Sequence, residues 1–501
     1  MGQRPAAKPP ARSVGLTRLV VERPRGDNRD TRPQKPNQRS DQNARPRAGT
    51  PSARPRRPLV PGLATRQAAV RVISAVLTDH RSLDEALAAS DALEARDRGL
   101  ARLIAGTVIR RQGELESVVG GFLSKPLPRK TGALWPILLS AAAQLLMLET
   151  PPHAAISLAV EQCRDDRDAR HFDKLANAVL RKVATEGPLR LAALDPITLN
   201  VPPWLWQRWR TTYGEETARA IAMAQLQQAP LDLSVKSDAA GWAERLGGVV
   251  LETGTVRLAA AGRIEDLAGF TEGAWWVQDA AAALPARLLG DVAGRAVADL
   301  CAAPGGKTAQ LAAAGALVTA VDLSDARLAR VRENLQRLGL TAEIVAADIA
   351  NWRPGRQFDA VLLDLPCTAT GTIRRNPDIL RLKRDRDVAV LAEIQSRLIE
   401  ATADLVAPRG RMVVCVCSLE PEEGERPVEA FLAAHPAFRR VPVEAGELAG
   451  HVDWITPAGD LRTLPSHILP MPAPSLPASA TSTVSAAGMD GFYAARLERI
   501  A

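Results

Sequence analysis

Cysteine is scarce in this chain: Cys163, Cys301, Cys367, Cys415 and Cys417 are the five thiols in 501 residues, an odd number without paired spacing. That argues against a disulfide framework and for a reducing compartment, where thiols are either small buried hydrophobes or reactive groups. Cys415 and Cys417 have no histidine beside them, and two further ligands would have to come from elsewhere, so no metal is assigned. Long apolar runs are also missing. No stretch of about 18 uncharged apolar residues occurs, so no membrane span is expected. The Arg/Pro-rich start lacks an apolar core, and its prolines spoil the amphipathic helix of an organellar transit peptide; the chain reads as cytoplasmic.

The formal net charge of +8 is unevenly spread: residues 1–60 hold 15 Lys and Arg against four acids, leaving 49 against 52 for the rest. The basic character therefore lives in the first segment. With eleven prolines and almost no apolar periodicity, residues 1–61 cannot bury enough surface to offset ordering and read as a disordered tail. An Arg-rich arm of this kind is either a non-specific RNA tether or a solubilising extension.

From Leu63 apolar residues recur at three and four, and helices are expected near 82–90, 96–111, 113–123, 131–148, 153–164 and 170–184. Residues 62–188 thus read as an all-α bundle, with His153 and His171 as satisfied structural side chains. Residues 189–285 form a linking subdomain, where Trp204, Trp206 and Trp209 read as helical core rather than base-stacking platforms. From 286 to 501 strands and helices alternate, with strands near 296–300, 317–322, 343–347, 358–364 and 411–417. This is a doubly wound, mostly parallel α/β sheet. Residues 468–487 read as a Pro/Ala/Ser-rich loop, and Gly491 to Leu497 as a last strand returning to the sheet edge.

The chain is organised around Val297-Ala-Asp299-Leu-Cys301-Ala302-Ala303-Pro304-Gly305-Gly306-Lys307, a strand, a tight loop and the start of a helix. In an open α/β sheet, ligands sit outside the carboxyl ends of the strands, where helix N-termini present free N–H groups. Asp322, Asp348 and Asp364 close three further apolar runs and would line the same crevice, Asp322 being placed to meet a ribose. Cys367 follows the fourth run, and Cys417 follows the fifth just ahead of a helix, a position that favours thiolate although the local acids oppose it. Cys415 lies deeper, where an inert core thiol is expected, and Cys301 could simply pack beneath its loop.

A cofactor cradle, strand-end carboxylates and two thiols suit methyl transfer to a pyrimidine C5. Thiolate addition at C6 makes C5 nucleophilic, the methyl comes from S-adenosyl-L-methionine, and proton loss with thiol elimination restores the ring. The base must be unstacked to be reached.

Asp299 to Lys307, Asp364-Leu-Pro-Cys367 with Ile373-Arg-Arg-Asn-Pro-Asp378, and Cys417-Ser-Leu-Glu-Pro-Glu-Glu423 resemble the bacterial RsmB/Sun-type 16S rRNA cytosine-C5 methyltransferases. The helical region ending Asn177-Ala-Val-Leu-Arg181 is similar to the NusB-like RNA-binding domain fused ahead of their Rossmann-like class I methyltransferase domain. The resemblance covers about residues 62–465 and the final strand. It implies that Cys301, Ala302, Ala303, Pro304, Gly305, Gly306, Lys307, Asp322, Asp348 and Asp364 bind the cofactor or frame the base. It further implies Cys417 as nucleophile, Cys367 in product release and Asp364 bonded to the cytosine ring. Related DNA methyltransferases use the Pro-Cys thiol instead, here Cys367. The implied partner is rRNA, at a single-stranded or loop cytosine, free or in the small ribosomal subunit or its precursor, and the enzyme is expected as a monomer. Leu365 and Thr368 stand where the family has a small residue and Ser, and Leu231-Asp-Leu-Ser-Val-Lys lacks its usual Arg-Val-Asn ending. The rival readings are an RNA-binding assembly protein with an inactive methyltransferase domain, and a redox or metal protein using Cys415 and Cys417.

Overall fold

The computed structural model describes residues 60–89, 93–258, 263–471 and 486–500. The expectations for the basic tail before Val60, and for residues 472–485 of the Pro/Ala/Ser-rich segment, lie outside them.

Seven helices open the described chain: α1 (Leu63–Leu77), α2 (Leu83–Ala88), α3 (Ala95–Arg110), α4 (Gln112–Gly120), α5 (Leu134–Leu146), α6 (Pro152–Asp165) and α7 (Asp173–Ala192). Ser82 starts α2 with a capping box, accepting from the Glu85 N–H while Glu85 reaches back to the Ser82 N–H. Ile73, Val108, Leu115, Leu138, Leu180 and the Cys163 thiol come from six of these helices into one core, where each buried aliphatic side chain contributes about 1.5–3 kcal/mol. His153 and His171 were expected as satisfied structural side chains; both are exposed at the surface, where a histidine needs no buried partner. No described helix is long and apolar enough to cross a membrane.

Helices α8 (Pro196–Asn200) and α9 (Pro203–Gln225) follow, α9 being broken at Gly214, where φ is 79°. Of the tryptophan stripe, Trp209 is core as expected, fully buried with Leu205 and Ile221 against Ile373 and Leu419, whereas Trp204 and Trp206 flank it half-buried. Beyond it lies an antiparallel sheet that the sequence did not announce. It comprises β1 (Leu231–Val235), β2 (Val249–Val250), β3 (Val256–Leu258) and β4 (Trp275–Val277) in the order β2-β3-β1-β4, with α10 (Ala239–Leu246) beside it. Its buried pair, Asp232 and Arg257, meets in two parallel bonds of 2.7 and 2.8 Å.

After α11 (Leu284–Arg287) comes the expected α/β alternation: β5 (Ala296–Leu300), α12 (Gly306–Ala313), β6 (Leu317–Asp322), α13 (Asp325–Leu338), β7 (Glu343–Ala346), β8 (Phe358–Asp364), α14 (Ile379–Leu382), α15 (Asp385–Thr402) and β9 (Val406–Val416). Then follow α16 (Glu425–Ala434), β10 (Phe438–Arg440), β11 (Leu461–Thr463), β12 (Leu469–Pro470), β13 (Ala486–Ala487) and β14 (Phe492–Arg499). The sheet runs β10-β14-β9-β8-β5-β6-β7, and β7, β6, β5, β8 and β9 are parallel throughout. Strand order reverses between β5 and β8, which opens a crevice at their carboxyl ends. One expectation needs correcting. The last strand does not lie at the edge: β14 runs antiparallel between β9 and β10, because Phe438–Arg440 pairs along its outer side and covers it.

Candidate active site

The loop after β5 is shaped by local conformation. Cys301 takes a φ of 60°, the Ala303–Pro304 peptide is cis, and Gly305 takes a φ of 98° just before α12. A Cβ on Gly305 would also stand 3.0 Å from Val331 of α13, so both conformation and space call for glycine. Asp322 at the end of β6 fastens this loop: Oδ2 accepts the Ala303 N–H at 3.1 Å and Oδ1 the Ser324 N–H at 3.0 Å. Asp299, at the crevice floor, is fully buried. Its Oδ2 accepts from Thr308 Oγ1 at 2.5 Å, while Oδ1 has no hydrogen-bond partner. Burial, added to by the charges of Asp364 and Asp322, pushes its carboxyl up to about 7.

Asp364 ends β8 at the other lip. Lys307 Nζ donates to its Oδ2 at 2.9 Å, and the Cys415 thiol lies 3.6 Å from its Oδ1. Lys307 is only 8% exposed, and its Nζ is 4.9 Å from the centroid of the Phe492 ring. Burial alone would lower this ammonium, but Asp364 and the neighbouring thiols more than offset it and hold the proton on.

The Sγ atoms of Cys367 and Cys417 are 3.5 Å apart. The hydrogen bond with Cys417, then burial, hold the Cys367 thiol well above its ordinary range. Burial and Asp364 do the same to Cys415, and burial with Asp364 and Asp322 to Cys301, so neither of these is a ready thiolate.

Beneath the two thiols one carboxylate joins both cysteine turns. Glu423 Oε1 accepts the Thr368 N–H at 2.8 Å, and Oε2 accepts from Ser418 Oγ at 2.5 Å and from the Thr368 hydroxyl. Burial raises the Glu423 carboxyl, and the two hydroxyls partly restrain it. Alongside, the buried Arg374 donates to Asp279 at 3.1 Å and Asp490 at 3.2 Å, and Arg375 Nε donates to Asp490 at 2.7 Å.

The segment after Cys367 is held by the rest of the chain. Gln225 of α9 donates to the Thr370 carbonyl at 2.8 Å and accepts the Arg374 N–H at 3.0 Å. Arg110 of α3 donates to the Arg374 carbonyl at 2.7 Å, and Asp378 accepts the Leu83 N–H of α2 at 3.1 Å.

Of the residues singled out from sequence, Asp364, Lys307, Cys367 and Cys417 come together, with Asp299 and Cys301 beneath and Asp322 behind the loop. Asp348 stands apart. It is exposed, and its oxygens serve a local turn, accepting from Ala350 N at 3.1 Å and Asn351 Nδ2 at 2.8 Å. Sequence reasoning did not assign roles to Glu423, Arg374 or Arg375, although all three lie inside the quoted motifs. Asp279, Asp490 and Phe492 carry no local signal at all. Among the described residues no group of three or more His, Cys, Asp or Glu is placed to hold a metal ion.

Residues 286–498 match the family model described as 16S rRNA methyltransferase RsmB/F, and residues 63–185 match the NusB family. Ribosomal RNA small subunit methyltransferase B of Xanthomonas campestris pv. campestris is 36% identical over 410 residues, spanning 78% of this chain and 92% of the relative. The protein of that name from Pseudomonas putida is 35% identical over 456 residues, spanning 87% and 98%. The crystal structure of PH0851 superposes with a TM-score of 0.66 at 23% identity, covering 88% of this chain and 99% of that one, a likeness of fold. Similarity that runs through both the helical and the sheet regions, along nearly the whole of these relatives, makes the chain a member of the ribosomal RNA small subunit methyltransferase B family.

Proposed function

We propose that this protein transfers a methyl group from S-adenosyl-L-methionine to C5 of a cytosine in small-subunit rRNA, through a covalent adduct between Cys417 and C6. The observation that carries the reading is the pair of thiols 3.5 Å apart at the ends of β8 and β9, beside the Lys307–Asp364 ion pair. A scaffold has no use for two thiols there.

The crevice residues fit the cofactor. Asp299 Oδ1 is a buried acceptor without a partner, suited to a cationic ligand, and the Gly305–Gly306 turn leaves the backbone bare where a ligand approaches. Bound there, the cofactor supplies the methyl group as an electrophile. Cys417 Sγ adds to C6 of the unstacked base, forming the C6–S bond and moving electron density to C5. Lys307 and Arg375 both interact electrostatically with Cys417, so positive charge faces the sulfur as it becomes anionic. Asp364, oriented by Lys307, is the hydrogen-bonding group for the cytosine ring. Once C5 carries the methyl group, its proton passes to solvent water and the C5–H pair re-forms the C5–C6 double bond. The C6–S bond breaks with its electron pair returning to the Cys417 sulfur, and Cys367 assists that elimination. Its protonated state suits a group that returns a proton to the departing sulfur. Asp322, which fastens the loop after β5, would frame the ribose side of the cofactor.

The test is nucleotide-resolved mass mapping of rRNA after incubation with labelled cofactor. Methyl on a cytosine C5, lost in Cys417→Ala, with a protein–RNA adduct trapped in Cys367→Ala, supports the reading. Reversed behaviour of the two variants exchanges their roles. A folded wild-type protein that methylates no rRNA overturns the assignment in favour of an RNA-binding assembly protein.

A further inference from the structure

A second cleft, of about 450 Å³, lies between the helical bundle and the segment that follows the Arg374–Arg375 pair. Its volume is within the range of ~300–1,000 Å³ usual for small-ligand sites. The end of α1, the start of α4, the α8–α9 junction and α14 wall it, contributing His80, Gln112, Thr198, Trp204, Arg381 and Arg384 among others. Among the described residues no carboxylate lines it, although acids outnumber bases in the chain beyond residue 60.

Two arginines, Arg381 and Arg384, stand on the α14 side of the cleft. Among the described residues neither forms an ion pair. Arg381 Nε and Nη2 share one acceptor, the Ile109 carbonyl at 3.3 Å, and Arg384 Nη1 meets only the carbonyls of Arg381 at 2.6 Å and Lys383 at 3.0 Å. The nearby acids are already engaged. Glu116 accepts from Gln112 at 2.9 Å, Asp385 from Arg208 at 2.6 Å, and Asp387 from the Arg384 N–H at 2.9 Å. Burial lowers Arg381 to about 10, and the charge of Glu116 offsets this only in part. A guanidinium with spare donors facing a cleft that also holds an indole is suited to a phosphate with a base beside it.

We propose that this cleft seats a nucleotide of the rRNA away from the target cytosine, its phosphate on Arg381 and Arg384 and its base beside Trp204. This rests on the reading of rRNA as substrate. The segment Thr370–Arg384 leads from the Cys367 turn directly to the cleft, so an RNA strand held there is tethered at both ends of one rigid stretch of protein.

The experiment is filter binding of in vitro-transcribed 16S rRNA to the full-length protein across a potassium chloride series, with melting temperature and cofactor affinity as controls. Arg384→Gln is expected to weaken binding roughly five- to tenfold and reduce the slope of log K against log salt by about one. Thr198→Lys, which adds a cation at an exposed position on the cleft wall, is expected to tighten binding. Arg295→Gln, at the opposite end of β5 from the crevice, should change neither. Arg384→Gln and Thr198→Lys that both bind like wild type, or that move binding in the same direction, overturn the proposal. Wild-type protein that methylates rRNA while these variants bind unchanged rejects the cleft alone; wild-type protein that binds no rRNA rejects the functional reading as well.

Discussion

Gly371 donates its backbone N–H to the carbonyl of Cys417 at 2.9 Å, so the turn after one cysteine is fastened to the backbone of the other. A Cβ on Gly371 would fall 2.0 Å from the Gly491 carbonyl oxygen and 2.9 Å from that of Cys417. Backbone on two sides cannot yield as a flexible side chain does. Gly371→Ala is therefore expected to part the two thiols and lower methyl transfer at least a hundredfold, since displacements near 1 Å cost that much. Cofactor affinity should be little changed. Single-turnover rates beside calorimetric cofactor binding check this.

The Cys367 thiol owes its elevation first to the bond with Cys417. Removing that sulfur in Cys417→Ala should let Cys367 alkylate with iodoacetamide at lower pH than in the wild-type protein, though still above a free thiol because burial remains. Mass-resolved alkylation rates across pH 6–10 read the midpoint, and an unchanged or higher midpoint contradicts the account.

Asp299 has a folded-state value of about 7 against about 3.9 in an unfolded chain. The folded state thus holds a proton that the unfolded chain gives up. The stability this contributes is full below pH ~4 and is lost as pH rises towards 7. In cofactor-free protein, Asp299→Asn should remove a slope of about 1.4 kcal/mol per pH unit between pH 5 and 7 and leave the slope above pH 7 unchanged. Glu420, also raised to about 7 mainly by burial, keeps its own slope in the variant. Urea unfolding at stepped pH measures it.

Asp490 is fully buried between Arg374 and Arg375. Asp490→Ala leaves the buried Arg374 with Asp279 as its sole carboxylate partner among the described residues and should destabilise by about 3–5 kcal/mol. Its urea midpoint should fall accordingly, and Asp490→Asn, which keeps an acceptor, should fall less.

Much of this fold could be read from the sequence because its central strands are largely apolar runs, two of them, β6 and β8, ended by aspartate. The bounds 296–300, 317–322 and 358–364 coincide with β5, β6 and β8. Such runs are buried on both faces and carry their own punctuation. The sheet of β1 to β4 was not legible. Two of its strands have three residues and one has two, and the Asp232–Arg257 pair at its centre looks like surface in a one-dimensional string. The place of β14 was equally hidden, since the pairing of Phe438–Arg440 along its outer side is decided sixty residues away in sequence. The thiols and the glycine loop stood out through residue type. Their supports, Glu423 to Thr368, Arg374 to Asp279 and Asp490, and Lys307 to Phe492, join positions 55 to 185 residues apart and exist only once the chain has folded.

Strand β14 pairs with β9 along six residues, and Asp490 and Phe492 reach the crevice from its beginning. Ribosomes extend a chain from its N-terminus, so this strand emerges after the motifs it serves. While it is still inside the exit tunnel, β9 lacks its outer neighbour, Arg374 lacks Asp490 and Lys307 lacks the Phe492 ring. A nascent chain therefore carries both cysteines before Arg374 and Lys307 have gained these two partners.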